Sequence, residues 1–142
     1  RNVNAGVFFG SDPASPDTYL KFYADVQMYA SLFEGTDPTA HLEQRRCGRE
    51  PQPSTQWQGQ NINRYCNPEY DALWAELSRE ADPERRAELV IALNDMFVQD
   101  FAHLPLVARG RVSAAANTVG GIILNVWDSE HWNQAEWYRI SN

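Results

Sequence analysis

The sequence predicts a mixed α/β fold, and three observations carry that prediction. Residues 3–9 alternate, with Val3, Ala5, Val7 and Phe9 on one side, which reads as a half-buried strand. Two central segments carry apolar residues at helical spacing behind matching openings, Asn67-Pro68-Glu69 and Asp82-Pro83-Glu84. Toward the end, "HLPLVARGRVSAAAN" is rich in apolar, β-type residues around Pro105. A chain of 142 residues is long enough for a single domain with a real core, taken here as residues 1–142.

After the strand, Gly10, Pro13 and Pro16 break the pattern in "GSDPASPD". Ser15-Pro16-Asp17 then supplies a hydroxyl cap, a proline at the first helical position and an acid in the first turn. Tyr19, Tyr23, Val26, Ala30 and Phe33 follow at helical spacing, so a helix is expected to about Phe33. Residues 34–66 show no sustained period and hold Gly35, Pro38, Gly48, Pro51, Pro53 and Gly59. A loop of that length inside a compact domain is either functional or an insertion.

The two capped segments come next. Tyr70, Leu73, Trp74 and Leu77 line one face of the first; Leu89, Val90, Leu93, Met96 and Phe97 line one face of the second. Pro83 disfavours helical backbone at Asp82, so the chain turns a corner between them. Both helices are expected to pack one face on a common small mixed sheet. Two short strands are predicted at 103–108 and 111–117, and the Gly120-Gly121 pair is expected to break the strand pattern. Trp127, Trp132 and Trp137 follow at five-residue spacing, which suits neither a helix face nor a strand face; they read as plugs of local gaps or as contacts to another lobe.

The formal charge of −7 argues against nucleic acid as a partner, because phosphate binding needs a basic face. Arg45, Arg46 and Arg49 are a local exception, but Glu43 and Glu50 interleave them, and a solvated loop is the plainer reading. No apolar run is long enough to span a membrane. No signal peptide is visible, but the chain opens on Arg1 and runs at once into apolar sequence, which reads as a cut inside a longer protein. The missing signal therefore says nothing about compartment. Cys47 and Cys66 flank a polar, Pro- and Gln-rich stretch. Two cysteines alone fit either a disulfide or a pair of free thiols, and a zinc site needs more ligands than they supply.

Chemistry is sparse. His41, His103 and His131 stand far apart and form no paired metal spacing, so no metal or other cofactor is expected. There is no nucleophile elbow, phosphate-binding loop or dinucleotide fingerprint, and no carboxylate pair stands out, so catalysis has no positive support. The stretch "FFGSDPASP" is more informative. It is predicted to leave a strand and enter a helix, where α/β folds build ligand sites. Asp12 sits there, although an aspartate that caps a turn is the plainer reading.

The order of these features resembles the C-terminal part of the bacterial extracellular solute-binding protein family 5, the oligopeptide-, dipeptide- and nickel-binding components of ABC importers. Members carry an aromatic, an acid and a proline at a strand-to-helix turn, often W-x-x-D-x-x-x-P; Phe9, Asp12 and Pro16 stand at that spacing. The family then has N-x-x-R-[YFW]-x-N-x-E-[YF]-D, matched by Asn61, Arg64, Tyr65, Asn67, Glu69, Tyr70 and Asp71. A D-x-x-x-R helix follows, matched by Asp82 and Arg86, and an acidic helix end before a proline-bearing strand is matched by Asp100 and "HLPLVAR". The likeness spans nearly all of residues 5–140.

The resemblance implies part of one lobe of a two-lobed, monomeric, extracytoplasmic binding protein, either free in the periplasm or held at the cell surface by a lipid anchor. Ligand would sit between the lobes and pass to ABC permease subunits, and the membrane would be met only through an anchor or that permease. In peptide-binding members the acid at Asp12 meets the peptide ammonium and the aromatic at Phe9 lines the pocket. Trp57 on the long loop is a further candidate contact, with a role as loop anchor as its alternative. An extracytoplasmic location also implies a Cys47–Cys66 disulfide pinning the loop to the following helix. Phe9 departs from the usual tryptophan, which opens the ligand class to a sugar or a nickel chelate. Outside the family reading, a hydrolase domain and a stand-alone interaction module using the tryptophans are the alternatives.

Overall fold

A computed structural model describes residues 1–12, 15–31, 37–108, 110, 112–125 and 128–140. The architecture is mixed, with short and medium helices and one small sheet. The chain divides into two compact units, Arg1–Tyr29 with Pro38–Leu104, and Ala30–Asp37 with Pro105–Asn142.

The first unit contains the helices α1 (Ala5–Phe8), α2 (Thr39–Glu43), α3 (Pro68–Leu77) and α4 (Pro83–Gln99). The two capped helices form where the sequence places them. The Asn67 side chain accepts from Glu69 N at 2.9 Å and that of Asp82 from Arg85 N at 2.8 Å, each satisfying one orphan donor of its helix. Pro68 and Pro83 occupy first-turn positions whose N–H would find no partner anyway. Their apolar faces meet each other: Tyr70, Leu77, Leu89, Leu93 and Phe97 form a buried core with Leu42 of α2. Among the described residues of this unit there is no strand, so the sheet expected beneath them is not found here. The Tyr70 hydroxyl donates to Leu42 O at 2.9 Å, and Trp74 Nε1 donates to Thr39 O at 3.1 Å, so α2 is tied to α3 by polar as well as apolar contacts. Burial lifts the Tyr70 hydroxyl to about 12.

The N-terminal expectations are overturned. The predicted strand at 3–9 is instead a turn of helix, because the Asn4 side chain accepts from Gly6 N at 2.9 Å and starts α1. Apolar alternation over seven residues has no sheet to lie on here. Phe8 and Phe9 pack instead with Tyr19 and Tyr29, in an aromatic cluster with ring centroids 5.0–5.9 Å apart. The helix predicted from Ser15 does not form over the described residues 15–31; Phe33 lies outside them. Tyr19 N donates to Phe8 O at 2.9 Å, so it is diverted from the helical ladder, and Phe22 takes a left-handed φ of 48°.

In the second unit, β1 (Val119–Gly120) pairs antiparallel with β2 (Tyr138–Arg139), Val119 opposite Arg139 and Gly120 opposite Tyr138. The strands predicted at 103–108 and 111–117 are not found among the described residues; of the glycines expected to break the pattern, Gly120 ends β1 as one of its two residues and Gly121 follows it. A Cβ on Gly120 would lie 2.5 Å from the Tyr138 ring, so the ring packs on a strand that has no side chain at that point. The buried Asn133 organises this unit. Its amide donates to Gly121 O at 2.7 Å, and its oxygen accepts from Trp137 Nε1 at 2.9 Å. Trp132 Nε1 donates to Ile123 O at 2.7 Å, while Trp127 lies outside the described residues.

Two measurements check the helix pair. Replacing Asp82 by alanine removes one cap and is expected to cost about 1 kcal/mol in denaturant unfolding. Asn67→Ala should cost more, because the Asn67 amide also donates to Asp100 Oδ2 at 3.0 Å and ties the start of α3 to the end of α4; equal losses would contradict that tie. The Tyr65 hydroxyl makes a second bond to the same oxygen at 2.7 Å, and these bonds hold the Asp100 carboxyl below its ordinary value. A depressed folded-state value stabilises above the unfolded value, near ~3.9, and that stabilisation is lost as pH falls through the folded value. Tyr65→Phe should therefore flatten the acid limb of the stability–pH curve, and an unchanged limb would refute the assignment.

Candidate functional site

The long loop is ordered by hydrogen bonds. Residues 34–36 lie outside the described set; the rest holds α2 and a 3-10 turn at Pro53–Thr55. Cys47 and Cys66 sit at disulfide distance, with sulfurs 2.10 Å apart, joining the loop to the start of α3. Inside that closure the fully buried Asn61 donates to Arg46 O at 3.1 Å and to Tyr65 O at 2.6 Å, and accepts from Tyr65 N at 3.1 Å. Gly59 is required where the two limbs of the loop cross: a Cβ there would stand 2.7 Å from Arg49 O. Arg64 reaches back to donate to Lys21 O at 3.0 Å, which fastens the N-terminal segment to the loop.

This frame presents Trp57. The backbone of residues 52–58 closes on itself: Thr55 N and Trp57 N both donate to Gln52 O, at 3.0 and 2.9 Å, and Gln58 N donates to Thr55 O at 2.9 Å. Gln56 and Trp57 are both left-handed, with φ of 53° and 60°. Two successive non-glycine residues in that region carry strain. The buried Lys21 lies with its ammonium 5.3 Å from the Trp57 ring, and Tyr23 meets the indole edge-on at 6.2 Å.

The two regions singled out in the sequence come together. Ser11, Pro53, Gln56, Trp57 and Gln58 line an open cleft of about 540 Å³, so the turn after α1 forms one wall and the Trp57 loop the other. Asp12 is exposed beside Ser11, and its carbonyl accepts from Ser15 N at 3.2 Å, which makes it part of a turn. Phe9 is half exposed, with its ring in the aromatic cluster described above; neither Phe9 nor Asp12 is among the residues lining the cleft. The sequence reading missed Ser11, Gln56, Gln58 and Lys21. The run of glutamines at 52, 56, 58 and 60 was the available signal, and it reads as ordinary loop polarity until the fold places two of them along the cleft.

The lining offers a hydroxyl, two primary amides and an indole. Such a set hydrogen-bonds neutral polar groups and packs on flat apolar ones. Among the described residues no three His, Cys, Asp or Glu side chains gather into a metal-ligand set, and no helix is long and apolar enough to cross a membrane. In comparisons with protein-family models, curated proteins and solved structures, none matches this chain.

The disulfide is expected to hold the cleft wall in place. Removing it by a Cys47→Ala, Cys66→Ala double substitution should cost about 3 kcal/mol, read from denaturant unfolding. Hydrogen exchange should rise across residues 48–65 and remain low in α3 and α4. Uniform protection after removal would show that Asn61 and its neighbours hold the loop unaided.

Proposed function

We propose that this chain is the ligand-contacting part of an extracytoplasmic solute-binding protein of the family-5 type, which takes up short peptides and delivers them to an ABC permease. The observation that carries the reading is the meeting of the Ser11–Asp12 turn with the Trp57 loop in one open cleft. Gln56, Gln58 and Ser11 carry the donors and acceptors that peptide amides need. Trp57 offers a flat apolar surface, and the exposed Asp12 carboxylate is suited to a peptide ammonium. A disulfide persists in oxidising compartments, which supports the extracytoplasmic location.

On this reading the cleft is open because another lobe covers its mouth, and ligand is enclosed by hinge closure. The 142 residues alone then bind peptide weakly or not at all. One specific feature favours a second reading: among the described residues, no charged side chain lines the cleft itself. A neutral solute such as a sugar suits that lining, with Trp57 as a stacking platform.

Asp12→Asn in the protein as its organism makes it separates these readings by calorimetry. For a peptide ligand, loss of a charged hydrogen bond should weaken binding by about tenfold or more. N-acetylated peptides, which lack the ammonium, should bind the variant and the wild type alike. Equal affinity of both proteins for free-amine peptides would remove Asp12 from the site. Binding of sugars in place of peptides would establish the second reading.

A further inference from the structure

The three arginines crowded at 45, 46 and 49 do not share one environment. Arg49 forms an ion pair with Glu43. Arg46 lies over the Trp74 ring at 4.3 Å, with its Nε 3.7 Å from Asp71 Oδ1. Arg45 has no carboxylate within ion-pair distance among the described residues. Its one hydrogen bond runs from Nη1 to Gln60 O at 3.3 Å, and its guanidinium carbon stands 5.3 Å from the Phe97 ring centroid. A guanidinium carries five N–H donors in a planar fork, so most of this one's capacity is uncommitted. Arg45 is only partly buried, and none of its nitrogens is among the described atoms sealed from solvent without a partner.

The surroundings are polarised in one direction. His41 precedes Arg45 by four residues along α2 and the turn that continues it, where Arg45 N donates to Leu42 O, so the two side chains share a face. The His103 ring stacks on the same Phe97 ring that carries Arg45, with centroids 6.0 Å apart and planes 25° from parallel. Tyr29 and Tyr70 complete the set and are neutral hydroxyls at ordinary pH, the Tyr29 hydroxyl raised by burial. In a chain with 19 acidic residues against 12 lysines and arginines, none of the described acids lies within ion-pair distance of Arg45. Burial pulls Arg45 below its ordinary value. Burial first, and then the neighbouring Arg45 charge, does the same to His41 and His103. The cluster thus sets one fixed cation beside two imidazoles that favour the neutral form.

We propose that Arg45, flanked by His41 and His103 on the Phe97 ring, binds a small oxyanion through its unpaired guanidinium fork. Carboxylate and phosphate share the required chemistry, since both accept two parallel N–H bonds from a guanidinium. An anion there offsets the Arg45 charge and favours the protonated imidazoles. Binding therefore takes up protons and strengthens as pH falls through the histidine range. The site uses different side chains from the Trp57 cleft and does not depend on the peptide reading.

The test is a nuclear magnetic resonance titration of the full chain, following the His41 and His103 Cε1 protons at fixed ionic strength. Inorganic phosphate is the probe in one series and acetate in the other, with chloride as the balancing salt. The expected result is a saturable shift with at least one probe, accompanied by a rise in both histidine pKa values; the probe that saturates at lower concentration identifies the anion class. Arg45→Gln should abolish the saturable shift, and Arg45→Lys should retain it with weaker affinity, because an ammonium lacks the fork. Shifts that stay linear in the wild type, or that saturate identically in Arg45→Gln, would mean an adventitious ion only and overturn the proposal. If Arg45→Gln does not fold, unchanged affinity in Arg45→Lys overturns the assignment to the fork.

Discussion

Each unit of this protein is organised by a buried asparagine amide. Asn61 in the first unit and Asn133 in the second are almost fully enclosed, and both oxygen and nitrogen are hydrogen-bonded in each case. The constraint behind this is general. Loop backbone that leaves water must find partners for its N–H and C=O groups, and an unpaired buried group costs about 1–3 kcal/mol. Where no strand or helix is available to supply them, a primary amide does so, because it donates and accepts within one small side chain. Asn61 thereby lets residues 46–65 fold as a closed structure with few apolar residues of their own.

The remainder of the first unit depends on that closure. The α3–α4 pair supplies the apolar core, and the loop is held against it by Leu42, Tyr70, Trp74 and the cysteine pair. A loop held this firmly can carry strain at its tip, which is where Gln56 and Trp57 adopt left-handed backbone. The same closure places Arg45 and Gln60 together, with no ion pair to the guanidinium fork among the described residues. Scaffold and presented groups are therefore distinct sets of residues, and Asn61 through Asp71 belong mainly to the scaffold.

How much of this was legible in the sequence varies with how local the governing interaction is. The α3 and α4 boundaries were legible because Asn67-Pro68 and Asp82-Pro83 act within one turn and bear the same signal in any context. The strand at 3–9 was misread because Asn4 caps a turn that apolar alternation cannot reveal, and the helix after Ser15 because Tyr19 N is taken by Phe8 O, a tertiary hydrogen bond. The β1–β2 pair was missed because its determinant is a ring packed on Gly120 from eighteen residues away. For the site, the Asp12 turn and Trp57 were singled out and the fold brings their neighbourhoods together, but Phe9 is committed to an aromatic cluster. Gln56 and Gln58 were invisible as site residues because only the left-handed turn aims them at the cleft.

The central claim is that the Ser11–Asp12 turn and the Trp57 loop form one ligand-binding cleft. A native mass spectrum of the protein isolated from the organism that makes it tests this most directly. The account predicts a small-molecule adduct, with a mass in the range of a short peptide, that is lost from a Trp57→Ala variant of unchanged fold. Protein free of any adduct, or an adduct retained undiminished without Trp57, would contradict it.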